Sequence, residues 1–203
     1  GTWGAWGGGI GGFGTLGGNS NAGGVTYNLG GFVAGIDRQV TEELLVGVTV
    51  GFASGTQWTS GFSGRSTSNA YQAGLYASFV KGPFYLDGML GYAYFDNQMQ
   101  RQIQIPGLNS RLATGQTGAN QFFGQIEAGY RIDLGTTADA YVTPWARLQG
   151  STTTQNGFTE SGADSLNLSV ASQTTNSLRS VLGVTLGGAA DFGWGQKVAA
   201  QFK

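Results

Sequence analysis

The sequence predicts an antiparallel all-β sheet arranged as an up-and-down transmembrane barrel, and three observations lead there. The first is two-residue alternation of apolar and polar positions along most segments, which makes one face of each strand greasy and the other wet. The second is a shortage of charge: 10% of residues are Asp, Glu, Lys or Arg, against about 25% in an ordinary soluble domain. The third is glycine, 38 of 203 residues, well over the usual share of about 7% and set inside the alternating segments beside aromatics. A soluble sandwich also alternates, but its exposed face carries many Lys and Glu. Here the polar face is sparse and small-residued, as in a barrel with lipid outside and a crowded, wet interior.

The elements follow in order. A first strand, 3–16, sets Trp3, Trp6, Ile10 and Phe13 among glycines and has the weakest pattern. The second, 26–37, aligns Phe32, Ala34 and Ile36. The third, 44–55, alternates Leu44, Val46, Val48, Val50 and Phe52 against Leu45, Gly47, Thr49 and Gly51, the cleanest lipid face in the chain. The fourth, around 71–79, opposes Tyr71, Ala73, Leu75, Ala77 and Phe79 to Gln72, Gly74, Tyr76 and Ser78. Lys81-Gly82-Pro83 reads as a tight turn, and a fifth strand, 84–97, follows with Phe84, Leu86, Leu90, Tyr92 and Tyr94 on one face. The sixth, 121–135, aligns Phe122, Gly124, Ile126, Ala128, Tyr130 and Ile132 against Phe123, Gln125, Glu127, Gly129, Arg131 and Asp133. A seventh, 141–149, an eighth from Leu178 and the start of a ninth at 197–203 complete the series.

The connections alternate in length. Those at 17–24, 56–68, 98–119 and 150–176 are medium or long and polar; those at 38–43, 81–83, 135–139 and 191–196 are short. In a meander, alternate connections share an end, so all short turns fall on one rim and all long loops on the other. Outer-membrane barrels show this asymmetry, with short periplasmic turns and longer extracellular loops.

Composition narrows the chemistry. There is no cysteine and no histidine, which removes disulfides, thiolate metal sites, the commonest general base and any Ser-His-Asp triad. No catalytic residue, metal site or cofactor is expected. Gly7, Gly9 and Gly12 match a dinucleotide fingerprint by letter, without the strand and helix that would give it meaning. Ten basic against eleven acidic residues give no sign of nucleic acid as a partner. No apolar run is long enough for a membrane helix, and no signal peptide opens the chain, so a mature or excised piece is expected. Glu160 and Asp164 read as solvated loop charge, Asn167-Leu168-Ser169 is a glycosylation sequon by letter, and Thr143-Pro144-Trp145 predicts a bulge.

If the apolar sets face lipid, then Asp87, Glu127, Arg131, Arg147 and Arg179 point inward as lumen-lining residues. A charge at mid-depth on the lipid face would cost about 2 to 4 kcal/mol. Two readings of these five stand side by side: contacts for something that passes through or sits in the lumen, or acids and bases that pair with one another across it.

Seven segments resemble, in order, the β-domains of autotransporters, the translocators of type V secretion: 32–37 (FVAGID), 74–78 (GLYAS), 84–88 (FYLDG), 127–131 (EAGYR), 143–148 (TPWARL), 157–163 (GFTESGA) and 178–183 (LRSVLG). The ordered set is specific and covers nearly the whole chain, 1–203, as one translocator domain. The resemblance implies a 12-stranded barrel in the bacterial outer membrane, of which about eight to nine strands are present. It also implies export and anchoring of the chain's own N-terminal passenger or linker segment, no enzymatic activity, and partners in the barrel-assembly machinery and outer-membrane lipid. The linker helix and the last strands of the family pattern are missing, although Val198, Ala200 and Phe202 imitate the family's terminal insertion signal. The competing readings are a complete eight-stranded outer-membrane barrel serving as a surface adhesin or structural protein, and a soluble glycine-rich sandwich that binds sugar.

Overall fold

A computed structural model of the chain describes every residue except 19–22, 61–63, 136–138, 192–196 and 203, and describes 190, 191 and 197–202 by backbone alone. The elements are β1 (Trp3–Leu16), β2 (Val25–Gln39), β3 (Leu44–Thr59), β4 (Gly64–Lys81), β5 (Phe84–Ile103), β6 (Arg111–Tyr130), β7 (Ile132–Asp133), β8 (Tyr141–Gln155), β9 (Phe158–Thr159), β10 (Ser169–Val170), β11 (Gln173–Asp191) and β12 (Lys197–Phe202). One antiparallel meander runs β1-β2-β3-β4-β5-β6-β8-β11-β12, with β7 on the edge of β8 and β9–β10 as a separate small hairpin.

The two faces divide as alternation predicts. Leu75, Leu90, Leu178 and Leu182 stand between 62% and 83% exposed on the apolar face. Among the described residues the buried apolar side chains are Ala93, Ala113, Ala119 and Ala163, and no large side chain is fully buried. A water-soluble sheet protein hides its large apolar residues between layers; this sheet shows them outward, where only lipid covers them favourably.

Glycines on the polar face make room for rings from the adjacent strand. Trp6 is the register partner of Gly35, Tyr76 of Gly47, Tyr85 of Gly129 and Trp145 of Gly183. In each case a methyl added at the glycine would overlap the ring of its partner. The rings therefore lie flat over the neighbouring backbone, which restores the contacts that a missing side chain forfeits.

Two expectations need correction. The segments 56–68 and 98–119, predicted as polar connections, are largely strand, and 150–176, predicted likewise, is strand at both ends. β3 continues to Thr59 and β4 starts at Gly64; β5 reaches Ile103 and β6 starts at Arg111; β8 reaches Gln155 and β11 starts at Gln173. Their Thr, Ser and Gln residues keep the extended backbone with polar side chains on both faces, so the apolar contrast that signals a strand is lost. The contrast in loop length consequently becomes, at this rim, an overhang of strands.

The bulge predicted at Pro144 is also absent. Gly129 faces Trp145 and Ile132 faces Val142, so the register is the same on both sides of the gap. Proline has no N–H to donate, and the sheet loses rungs there without gaining a residue. On its other edge β6 keeps its ladder to β5, where the backbone N–H of Arg131 donates to the carbonyl of Pro83, 2.7 Å away and next in register after Phe84↔Tyr130. The short connection predicted at 191–196 lies largely outside the described residues.

Candidate functional site: the charged face of the sheet

Antiparallel pairing brings four polar residues into one row. Ser78 on β4 faces Asp87 on β5, Asp87 faces Glu127 on β6, and Glu127 faces Arg147 on β8. Two carboxylates directly opposite repel, and their outer neighbours relieve it. Ser78 Oγ donates to Asp87 Oδ1 at 2.6 Å. Arg147 donates to Glu127 Oε2 through Nε at 2.6 Å, with Nη2 2.5 Å from the same oxygen, while Tyr85 Oη donates to Oε1 at 2.8 Å. The Glu127 side chain is only 6% exposed, so these donors replace the water it has lost.

The next row carries Asp37, Gly47, Tyr76, Met89, Gln125, Gln149 and Arg179 in register from β2 to β11. Tyr76 Oη donates to Asp37 Oδ2 at 2.7 Å and accepts from Trp6 Nε1 at 2.7 Å. Gln149 donates to Gln125 at 2.7 Å. Arg179 is exposed at the β11 end, and among the described residues no carboxylate pairs with it.

Of the five residues expected on this face, Asp87, Glu127 and Arg147 lie in one row, with Arg179 one row away. Arg131 sits nearer the short-turn rim, 2.8 Å from Asp133 and stacked 3.9 Å over the ring of Tyr141. Asp37, Tyr76, Tyr85 and Trp6 also hydrogen-bond on this face, Tyr85 to Glu127 and Tyr76 between Asp37 and Trp6, and are not among the five. Asp37 was legible, since it takes the polar phase one step past Ile36; the rings needed the register.

Beyond the aromatic rows the same face is covered by its own loop. The stretch after β8 folds back on β6: Thr117 Oγ1 donates to the Asn156 carbonyl at 2.6 Å, Thr114 and Ser161 bridge as a strand pair, and Phe158 lies on Gly115. Glu160, expected as solvated charge, is the peg of this loop. Arg101 Nη2 reaches its Oε2 at 2.6 Å, leaving the carboxylate side chain 10% exposed, and the Leu168 N–H donates to the same oxygen at 2.9 Å. The Arg101 hydrogen bond, aided by the Leu168 N–H, outweighs burial and holds the Glu160 carboxyl below its ordinary range. Asp164 does stay in water, 84% exposed with Arg111 3.5 Å away. Asn167 spends its side-chain oxygen on the Ala163 N–H, 2.9 Å.

The opposite face is banded. Phe32 and Phe52 lie 6.4 Å apart, Phe52 and Tyr71 5.2 Å, and Tyr92 and Phe122 5.1 Å. Trp3, Phe84 and Tyr130 mark the short-turn end. From Phe84 to Tyr94 the strand climbs about 33 Å, about 25 Å in height at the tilt of outer-membrane barrels, the height of their lipid band between aromatic girdles.

The model of the autotransporter β-domain family matches residues 5–203. The chain belongs to that family. Its sheet is similar to the translocator domain of the autotransporter NalP from Neisseria meningitidis, with a TM-score of 0.69 and 18% identity over 82% of this chain and 58% of that one. It is similar also to the β-domain of the Bordetella autotransporter BrkA, with a TM-score of 0.66 and 22% identity over 98% of this chain and 75% of that one. The chain thus spans little more than half of the NalP domain. No curated protein matches it in sequence. The autotransporter β-domain family is one of outer-membrane barrels and is not enzymatic in itself.

Proposed function

We propose that this β-domain, taken as a single translocator unit over 1–203, exports the passenger segment of its own chain and then anchors it in the outer membrane. The polar face is the lining of the conduit, with Asp87, Glu127, Arg131, Arg147 and Arg179 as its charged contacts. The short turns sit in the periplasm and the overhanging strands outside the cell. The barrel-assembly machinery inserts it and outer-membrane lipid surrounds it. The observation that carries this reading is the row Ser78–Asp87–Glu127–Arg147, satisfied in hydrogen bonds on one face of a sheet whose other face is apolar and bare. A water-filled passage needs a polar wall, and charges paired and hydrogen-bonded along one face can form it without exposing charge to lipid.

The test is paired. Arg131→Ala with Arg147→Ala, in the complete passenger-bearing protein, is expected to change single-channel conductance and to lower surface display of the passenger. If both stay at wild-type level while the barrel still migrates as a folded species on unheated gels, the conduit role of these residues is lost.

A further inference from the structure

The apolar face carries a cation where lipid should be. Arg38 takes the phase of Phe32, Ala34 and Ile36, stands opposite Trp3 on β1 and Val46 on β3, and is exposed. Among the described residues no carboxylate pairs with it; its partner is the Trp3 ring, 5.4 Å from the guanidinium carbon. Lys81, the other cation at this end of the face, has Glu43 at 3.6 Å. An arginine on a lipid-facing surface is tolerated near the interface and costly deeper, and Arg38 lies just before the turn at 40–43. An open groove of about 1070 Å³ begins beside it, lined by Trp3, Ile36, Val48, Leu75 and Leu90 and crossing the sheet toward β11.

We propose that this groove is the seat of an anionic phospholipid, its phosphate on the Arg38 guanidinium and an acyl chain along the apolar floor. Charge complementarity selects the occupant. A guanidinium offers two parallel N–H donors to a phosphate, and Trp3 holds it at headgroup level, where amphipathic rings settle. An anionic headgroup balances the charge; a zwitterionic one brings its own cation and gains less. The inference rests on the barrel's place in the outer membrane and is independent of export.

Native mass spectrometry of the full chain, folded in detergent micelles and offered phosphatidylglycerol or phosphatidylcholine with the same acyl chains, tests it. Retention of phosphatidylglycerol is expected to be about fivefold tighter, the worth of one arginine near an anionic surface. Arg38→Gln should shrink that preference below about twofold. Arg65→Gln, on the same face at the far end of β4 opposite Trp58, should leave it intact. Ala77→Trp, opposite Val46 in the groove, should expel both lipids. The site is overturned if the wild-type chain shows no preference, if Arg65→Gln matters as much as Arg38→Gln, if Ala77→Trp retains both lipids, or if inorganic phosphate alone displaces the lipid. A chain that stays soluble without detergent and retains neither lipid would overturn the membrane placement as well.

Discussion

Glu127–Arg147 and Glu160–Arg101 are nearly the same ion pair, 2.5 and 2.6 Å long with the carboxylate side chains 6% and 10% exposed, yet they hold different things. Glu127 and Arg147 are register partners on adjacent strands, so the ladder places them and the pair completes a row that backbone hydrogen bonds already align. Glu160 and Arg101 are brought together by a loop that folds over β5 and β6, and the pair is what fixes that loop, through the Leu168 N–H on one side and Arg101 Nη2 on the Leu166 carbonyl, 3.2 Å, on the other. A charge inside a ladder tunes a surface whose shape is settled. A charge under a loop settles the shape.

The largest effect should come from removing the acid of the ladder pair. Glu127→Gln leaves Arg147 beside a neutral amide with Asp87 its remaining acidic neighbour across the row, and breaking a covered pair from one side costs about 3 to 5 kcal/mol. Urea unfolding of the detergent-folded barrel, followed by the gel shift on heating, should move by that amount. The double variant Glu127→Gln with Arg147→Met should recover much of it, because no unpaired charge remains. A single variant as stable as wild type would mean that the row is wet enough for water to replace the pair.

The loop pair should fail more gently, and by pH. The Glu160 carboxyl is held below its unfolded value of 4.5, so its contribution is present at all pH values above that and is lost as pH falls through the lower folded value. Protease cleavage within 156–172 should therefore be slow from neutral pH down to about 4.5 and accelerate below it. Glu160→Gln should cleave fast at every pH while the barrel's urea midpoint stays unchanged. A pH-independent cleavage rate in the wild-type chain would show that Phe158 and the Thr114–Ser161 bridge hold the loop without the charge.

The same contrast explains what could be read from the sequence. Phase places side chains on faces without any knowledge of partners, so alternation alone puts Leu75 and Leu90 on one face and Glu127 and Arg147 on the other. Pairing across strands needs register, and nothing in Tyr85 announces that it will cover Gly129 and hydrogen-bond Glu127. Alternation also falls silent where both faces are wet, which is why the Thr-rich continuation of β8 and β11 looked like loop. Contacts distant in sequence, Arg101 with Glu160 or Trp6 with Tyr76, lie beyond any local pattern.

The smallest effect bears on the ladder itself. Pro144 interrupts the rungs between β6 and β8 just below the Glu127–Arg147 pair, yet Gly129↔Trp145 and Ile132↔Val142 keep one register. Pro144→Val supplies the missing N–H with a side chain that suits the apolar face. One regained hydrogen bond is worth about 0.5 to 1.5 kcal/mol, against which stands the loss of proline's restriction of the unfolded chain, about 0.4 to 1 kcal/mol. The net is expected to be slightly stabilising, with slower amide exchange confined to 129–132 and 142–145 and no change in cleavage of the 156–172 loop. If the loop loosened as well, the ladder and the loop would be one cooperative unit, and the distinction between a charge that tunes and a charge that shapes would fall.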